Sequence, residues 1–390
     1  MSYLIDQTDL FKKLQNTRKN SGIICAPLEV EDYVLQPIEN VSPPKWHLAH
    51  TTWFFEQLVL MPHLEDYREY HPDFSFLFNS YYNTLGDRVL RANRGFMSRP
   101  TVVEVQKYRT YVDENLEKLF QKSLSQDLLR IIEIGINHEQ QHQELLVYDI
   151  KYILGFQPTF PVYGNRFIVP HEKNKNKWID VESGMHKIGS DESTFYFDNE
   201  APRHKVNLAG CRIRTSLVTN GEFIEFINDG GYTNYNLWLA EGWDFINQNE
   251  IKAPLYWHYK DGSWYYYTLN GFNPVDKQAP VQHLSLYEAA AFAEWAGHRL
   301  PTEFEWEAVA GQLDWGRLWE WASSAYLPYP NYKRVAGPLG EYNSKFMLNQ
   351  NVLRGASVAT PAGHERKTYR NFFHASSRWI FSGLRLASDL

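Results

Sequence analysis

Residues 125–154 read SQDLLRIIEIGINHEQQHQELLVYDIKYIL. Leu128-Leu129, Ile132, Ile136, Leu145-Leu146 and Tyr152-Ile153 recur at helical spacing, which predicts one long helix from Ser125 to Leu154. In its middle stands His138-Glu139-Gln140-Gln141-His142. Two histidines at i and i+4 project from one helix face about one turn apart, so both imidazoles can reach a single ion.

Upstream, three more helices are predicted. Asp9 to Lys19 is amphipathic, a second helix runs from Lys45 after Pro43-Pro44 to about Met61, and a third spans Thr101 to Gln121 with Val102, Val105, Tyr108, Tyr111, Val112 and Leu116 in period. Four such helices imply an up-and-down bundle over residues 1–155. The second helix carries Trp46-His47-Leu48-Ala49-His50-Thr51-Thr52-Trp53. Either His47 or His50 can complete a three-histidine face that leaves coordination positions open. Taken alone, this set does not name its metal. His138-Glu139-x-x-His142 is also the zinc-peptidase pattern, with Glu139 as general base. Against that reading, no third ligand follows at short range, and the added histidines lie upstream. The connection from Leu64 to Pro100 is too long for an idle loop. It holds Asn79-Ser80-Tyr81-Tyr82-Asn83, then Arg88, Arg91, Arg94 and Arg99.

From Gly155 onward the helical period fades. Residues 156–180 are expected to be a linker, and 181–390 short strands and loops with one helix, Ser285 to Ala296, ended by Gly297. The fold class expected is therefore α+β with two domains. With 43% hydrophobic and 22% charged residues the composition is that of a globular protein. A net charge of -7 and no long Lys/Arg run argue against nucleic acid as a partner. Two cysteines, Cys25 and Cys211, make no disulfide framework, which suits a reducing cytoplasm. No signal peptide is recognised after Met1, and no apolar run reaches the length of a membrane span.

Trp46 to Glu56 together with His138 to His142 resembles the DinB-like domain of the ergothioneine-pathway sulfoxide synthases, the hercynine oxygenases. The second half is similar to a formylglycine-generating-enzyme (sulfatase-modifying-factor) domain. That likeness rests on Gly184 to Ser190, Phe197 to His204, Arg299 to Glu307, Leu318 to Trp321, Leu353 to Ser357 and Gly383 to Ala387. It implies a DinB-like four-helix bundle followed by a C-type-lectin-like domain. A formylglycine-generating activity would need a late cysteine pair for copper, and no cysteine follows Gly297.

The resemblance also implies the site. Fe(II) would be held by His50, His138 and His142, with His47 behind them. Gln141 and Asn371 would hold hercynine, and Phe372 would pack near its trimethylammonium group. Arg91 and Arg94 would bind the thiol's carboxylate. Members using γ-glutamylcysteine tend to carry an acidic residue where this chain has Phe373, so cysteine is the expected thiol. Tyr82 is the expected proton donor, with Tyr81 its neighbour. The substrates implied are hercynine, cysteine and dioxygen. Alternatives that share the iron site are γ-glutamylcysteine as thiol, or histidine as acceptor in ovothiol-type chemistry.

Overall fold

The computed structural model describes residues 3–80, 82, 86–171, 177–334 and 343–390. These divide into two compact units, Met1–Thr159 and Phe160–Arg334 with Asn343–Leu390.

The first unit is helical: α1 (Gln7–Cys25), α2 (Pro44–Phe55), α3 (Met61–His63), α4 (Phe74–Leu77), α5 (Val102–Phe120) and α6 (Gln126–Gly155). Local chemistry sets the ends. Asp6 accepts from the Asp9 amide to start α1, and Ser125 from Leu128 to start α6. Thr101 and Glu104 form a capping box at the head of α5. Pro44 occupies the first turn of α2, where its missing N–H costs nothing. α1 and α2 both pack on α6, and α2 also packs on α5. Every side chain of α2 is consequently buried. Gly135 on α6 makes this closeness possible, because a Cβ there would stand 2.7 Å from the Phe55 ring and 2.8 Å from Phe54.

A single helix was expected from Lys45 to Met61. Instead α2 passes at Glu56 into a π-helical turn, Glu56–Leu60. The buried Glu56 carboxylate accepts from the Tyr67 hydroxyl (2.6 Å), the Tyr70 amide (3.0 Å) and the Tyr108 hydroxyl (2.5 Å). These tertiary partners lie outside the helix, so no period in the sequence announces the turn.

The second unit is built of short strands: β1 (Trp178–Val181), β2 (Gly184–Ile188), β3 (His204–Leu208), β4 (Cys211–Arg214), β5 (Trp257–Lys260), β6 (Ser263–Thr268), β7 (Gly271–Pro274), β8 (Trp319–Ala325), β9 (Asn351–Gly355), β10 (Asn371–Phe373), β11 (Ser382–Gly383) and β12 (Ala387–Asp389). They form sheets of order β1-β4-β12, β10-β9-β8-β11, β2-β3 and β5-β6-β7. One helix was expected here, and it is present as Leu286–Trp295. Among the described residues three more accompany it, so the α-helices in order are α7 (Asn220–Asn228), α8 (Ala240–Gln248), α9 (Leu286–Trp295) and α10 (Glu303–Val309). The segment read as linker is partly structured. The Tyr163 and Gly164 amides both donate to the Leu269 carbonyl, and β1 begins at Trp178.

Beside an apolar core of Val181, Leu208, Ile213, Trp306 and Ala387, this unit carries ion pairs with buried carboxylates. Arg385 meets Glu320 at 2.7 Å, Arg370 meets Glu303 at 2.7 Å, Arg366 meets Glu200 at 2.7 Å, and Arg354 pairs with Glu307. The Trp306 indole donates to the same Glu320 at 2.7 Å. The arginine of Leu353-Arg354-Gly355 and that of Leu384-Arg385-Leu386 thereby gain a structural purpose.

Candidate metal centre

α2 and α6 bring His50, His138 and His142 together, with one ligand atom of each within 4.8 Å of the others. Ring centroids lie 5.0 Å (His50–His138), 4.7 Å (His50–His142) and 4.6 Å (His138–His142) apart. His50 and His138 are buried and His142 is partly buried. Burial holds all three rings below the usual histidine pKa, His138 at about 3, and for His50 and His142 the neighbouring imidazoles add to the effect. The rings are therefore neutral at physiological pH, the form that donates a lone pair to a metal.

The outer nitrogen of His50 is spoken for. His50 Nδ1 stands 2.6 Å from the Phe78 carbonyl oxygen, which can only accept, so that nitrogen carries the proton. His50 Nε2 is then bare, buried and without a hydrogen-bond partner among the described residues. An orphaned buried acceptor is costly unless something else fills the role. A cation bound by three imidazoles fits that requirement, and the donor set suits iron, zinc or copper.

Aromatic rings frame His50. Trp46 lies near-parallel to it at 4.6 Å and Trp53 at 5.6 Å. The Arg94 guanidinium sits 3.3 Å over the Trp46 ring, while donating to Ser42 Oγ (2.9 Å) and Ser80 Oγ (3.0 Å). On the other side the fully buried Tyr82 ring packs on Trp53 at 5.4 Å. Asn79 orders this loop, accepting from the Tyr82 amide and donating to the Tyr82, Gly86 and Asp87 carbonyls. Arg94 and Tyr82 thus each stand one ring away from His50.

The remaining expected residues are distributed as follows. Gln141 is half-buried on α6 between the two histidines in sequence. Arg91 is exposed and donates to the Asn40 carbonyl. Tyr81 lies outside the described residues. Asn371, Phe372 and Phe373 form β10 in the second unit, all half-buried. Phe372 stacks on Tyr326 at 4.1 Å, and Phe373 meets Trp379 edge-on at 5.6 Å.

Glu139 is not free for catalysis. Arg18 donates to one of its oxygens (2.9 Å), and Arg109 (2.8 Å) and Ser21 (2.6 Å) donate to the other. Burial alone would raise its pKa, but Arg109 and Arg18 overcome that and hold it at about 2. A carboxylate so deeply ionised and so fully hydrogen-bonded makes a poor general base, and the zinc-peptidase reading loses its central residue.

One residue of the site escaped the sequence reading. Asp149, buried on α6, accepts from His47 Nε2 at 2.9 Å, and His47 Nδ1 stands 2.8 Å from His142 Nδ1. Its position seven residues beyond His142 on the same helix face was the available signal.

Residues 166–314 match the family of the sulfatase-modifying factor enzyme 1-like domain. The chain is 31% identical over 314 residues to the hercynine oxygenase of Mycolicibacterium smegmatis, covering 65% of this chain and 71% of that one. This chain belongs to the hercynine oxygenase family. It is also 25% identical to ergothioneine biosynthesis protein 1 of Schizosaccharomyces pombe over 51% of this chain and 28% of that one. Formylglycine-generating enzyme of Mus musculus is 29% identical over 41% of this chain and 46% of its own. Membership in the hercynine oxygenase family makes the chain an oxygenase, in keeping with a metal-competent histidine group in its helical unit.

Proposed function

We propose that the chain is an Fe(II)- and dioxygen-dependent sulfoxide synthase of the ergothioneine pathway. It joins the sulfur of cysteine to the imidazole C2 of hercynine, giving S-(hercyn-2-yl)-cysteine S-oxide. The observation that carries this reading is the neutral His50–His138–His142 group, found in a chain of the hercynine oxygenase family. The same reading takes the first unit as a DinB-like bundle.

The overall reaction balances without a further reductant. One C–H and one S–H bond break, a C–S bond forms, one oxygen atom goes to sulfur, and the other leaves as water with both hydrogens. Dioxygen accepts four electrons, two from C–S bond formation and two from oxidation of sulfur. Fe(II) held by the three imidazoles would supply open positions at which thiol, imidazole and dioxygen are gathered, which removes the entropy cost of a three-body encounter.

The chain's own residues do the rest. Arg94, already fixed by Ser42, Ser80 and the Trp46 face, offers a held guanidinium for the thiol's carboxylate, with Arg91 beside it in sequence. Tyr82 offers a fully buried phenol packed on Trp53, as proton donor that favours C–S bond formation over simple oxidation of the thiol. Gln141 offers an amide for hercynine, and the family resemblance assigns Asn371 and Phe372 to the same substrate, Phe372 through its quaternary ammonium. Phe373 provides no partner for a glutamyl ammonium, which favours cysteine.

The test is anaerobic reconstitution with Fe(II), then aerobic incubation with hercynine plus cysteine or γ-glutamylcysteine, read by mass spectrometry. A sulfoxide adduct with cysteine supports the reading in full. An adduct with γ-glutamylcysteine alone reassigns the thiol, and one formed only from histidine reassigns the acceptor. No adduct under any pairing refutes the enzyme reading.

A further inference from the structure

Asp149 is 1% exposed and sits on α6, the helix that also carries His138 and His142. Seven residues of helix separate it from His142, about 10 Å along the axis, too far for a direct hydrogen bond. His47, from α2, spans that gap. Asp149 Oδ2 accepts from the Ser42 amide at 2.8 Å and from His47 Nε2 at 2.9 Å, and His47 Nδ1 lies 2.8 Å from His142 Nδ1.

The order of protons along this chain is set at its acidic end. Asp149 Oδ2 already accepts from the Ser42 amide, which marks it as the acceptor towards His47 as well, so His47 Nε2 carries a proton. A neutral His47 then has a bare Nδ1, and the hydrogen between the two rings must sit on His142 Nδ1. That leaves the His142 Nε2 lone pair bare for a metal. His50 reaches the same state more simply, through the Phe78 carbonyl.

We propose that Asp149 and His47 are positioning residues which together fix the tautomer and ring orientation of His142, with His47 a tether and not a ligand. The proposal rests on the metal reading above. Outer-sphere partners of ligating histidines typically change metal affinity by about 10- to 100-fold. Here the carboxylate acts at one remove, through a second imidazole, so its effect must pass through His47.

The experiment is Co(II) titration of the metal-free full chain against a competing chelator, with the visible spectrum recorded at saturation. His47→Phe keeps the ring and removes both nitrogens. It is expected to weaken Co(II) binding about 10- to 100-fold and to alter the spectrum. Asp149→Ala should fall in the same range. The double variant should be no weaker than His47→Phe alone, because the two residues act in series. His47→Gln, which keeps a donor and an acceptor, should recover much of the loss. Thermal unfolding of each metal-free variant checks that it is folded; if His47→Phe is not, Asp149→Ala and His47→Gln carry the comparison. Wild-type affinity and spectrum in the single variants would overturn the tether, as would a double variant whose loss is the product of the two. His138→Ala separates the two levels of argument. If it binds Co(II) as tightly as wild type, the metal reading itself falls, whereas loss in His138→Ala alone removes only the tether.

Discussion

Replacing Glu139 by glutamine tests whether this residue is a structural anion or a catalytic base. The carboxylate is fully buried and faces two guanidinium groups at 2.8–2.9 Å. Glutamine keeps the shape and one acceptor oxygen but removes the charge. Arg18 would retain Asp113 at 2.6 Å, which is 40% exposed, whereas Arg109 would keep, among the described residues, the neutral oxygens of Leu48, Thr51, Thr52 and Arg18. Breaking a buried pair of this kind costs about 3–5 kcal/mol, and the retained acceptor argues for about 3. Linkage gives a similar figure. The carboxyl pKa is held at about 2 against an ordinary 4.5, a difference worth ~3 kcal/mol at neutral pH. The sign follows from a lowered folded-state pKa: the stabilisation is complete above about pH 5 and is lost as pH falls towards 2. For a unit of this size, thermal unfolding of the helical transition should drop by about 6–12 °C in Glu139→Gln at pH 7. The difference from wild type should shrink as the pH is lowered below 4.5. A variant that melts within ~1 °C of wild type, with unchanged acid sensitivity, would refute the buried-anion account. If Glu139 were a peptidase base, the variant would instead lose peptide hydrolysis while keeping its stability.

Removing a ligand should be more severe than removing its support. His50→Ala, His138→Ala and His142→Ala are each expected to lower bound iron after reconstitution by ~100-fold or more, measured by elemental analysis, and to abolish sulfoxide formation. Near-stoichiometric iron in any one of them removes that residue from the ligand set. Tyr82→Phe should raise the sulfinic acid by-product relative to sulfoxide by ~10-fold or more, given what a placed general acid contributes; an unchanged product ratio takes Tyr82 out of that role. Phe373→Asp should shift the ratio of kcat/KM for γ-glutamylcysteine over cysteine upward by about 10- to 100-fold, the value of one charge-assisted contact. No change in that ratio would mean that Phe373 does not set thiol choice.

The long helices of the first unit were readable because each runs far enough to show in the sequence, whereas α3 and α4, of three and four residues, do not. α6 was expected over Ser125–Leu154 and is found over Gln126–Gly155; α5, expected over Thr101–Gln121, spans Val102–Phe120. α7, α8 and α10 have only nine, nine and seven residues, two turns or so, which is too little for a period to emerge. Their caps were still legible: Thr219 with Glu222 and Thr302 with Glu305 are capping boxes written in the sequence. The π turn at Glu56 was not legible, because it answers to tyrosines from elsewhere in the chain. At the site, His138 and His142 stood out by spacing, whereas spacing left His47 and His50 equal and the family resemblance chose His50. The Phe78 carbonyl could not stand out, since any residue supplies one. Asp149 could have been found, but only by following the histidine stripe two turns further along the helix.

The HExxH run of α6 shows why letters alone leave its chemistry open. At 3.6 residues per turn, His138 and His142 differ by about 40° around the axis, and Asp149 falls close to the same line. Glu139 is displaced from His138 by about 100°. In a peptidase that neighbouring carboxylate must reach the metal-bound nucleophile. Here Arg18 from α1 and Arg109 from α5 take up both of its oxygens. One helix therefore carries two adjoining stripes of opposite character. The first carries the imidazoles of His138 and His142, and the second, through Glu139, ties the helix to α1 and α5. Because the second stripe binds its carboxylate so firmly, Glu139 is kept from competing as a ligand or as a proton acceptor beside the histidines. The fixed helix also sets the spacing of His142 and Asp149 that His47 has to bridge. Stability and site geometry in this unit thus share the same thirty residues, and a change on either stripe should be read for its effect on both.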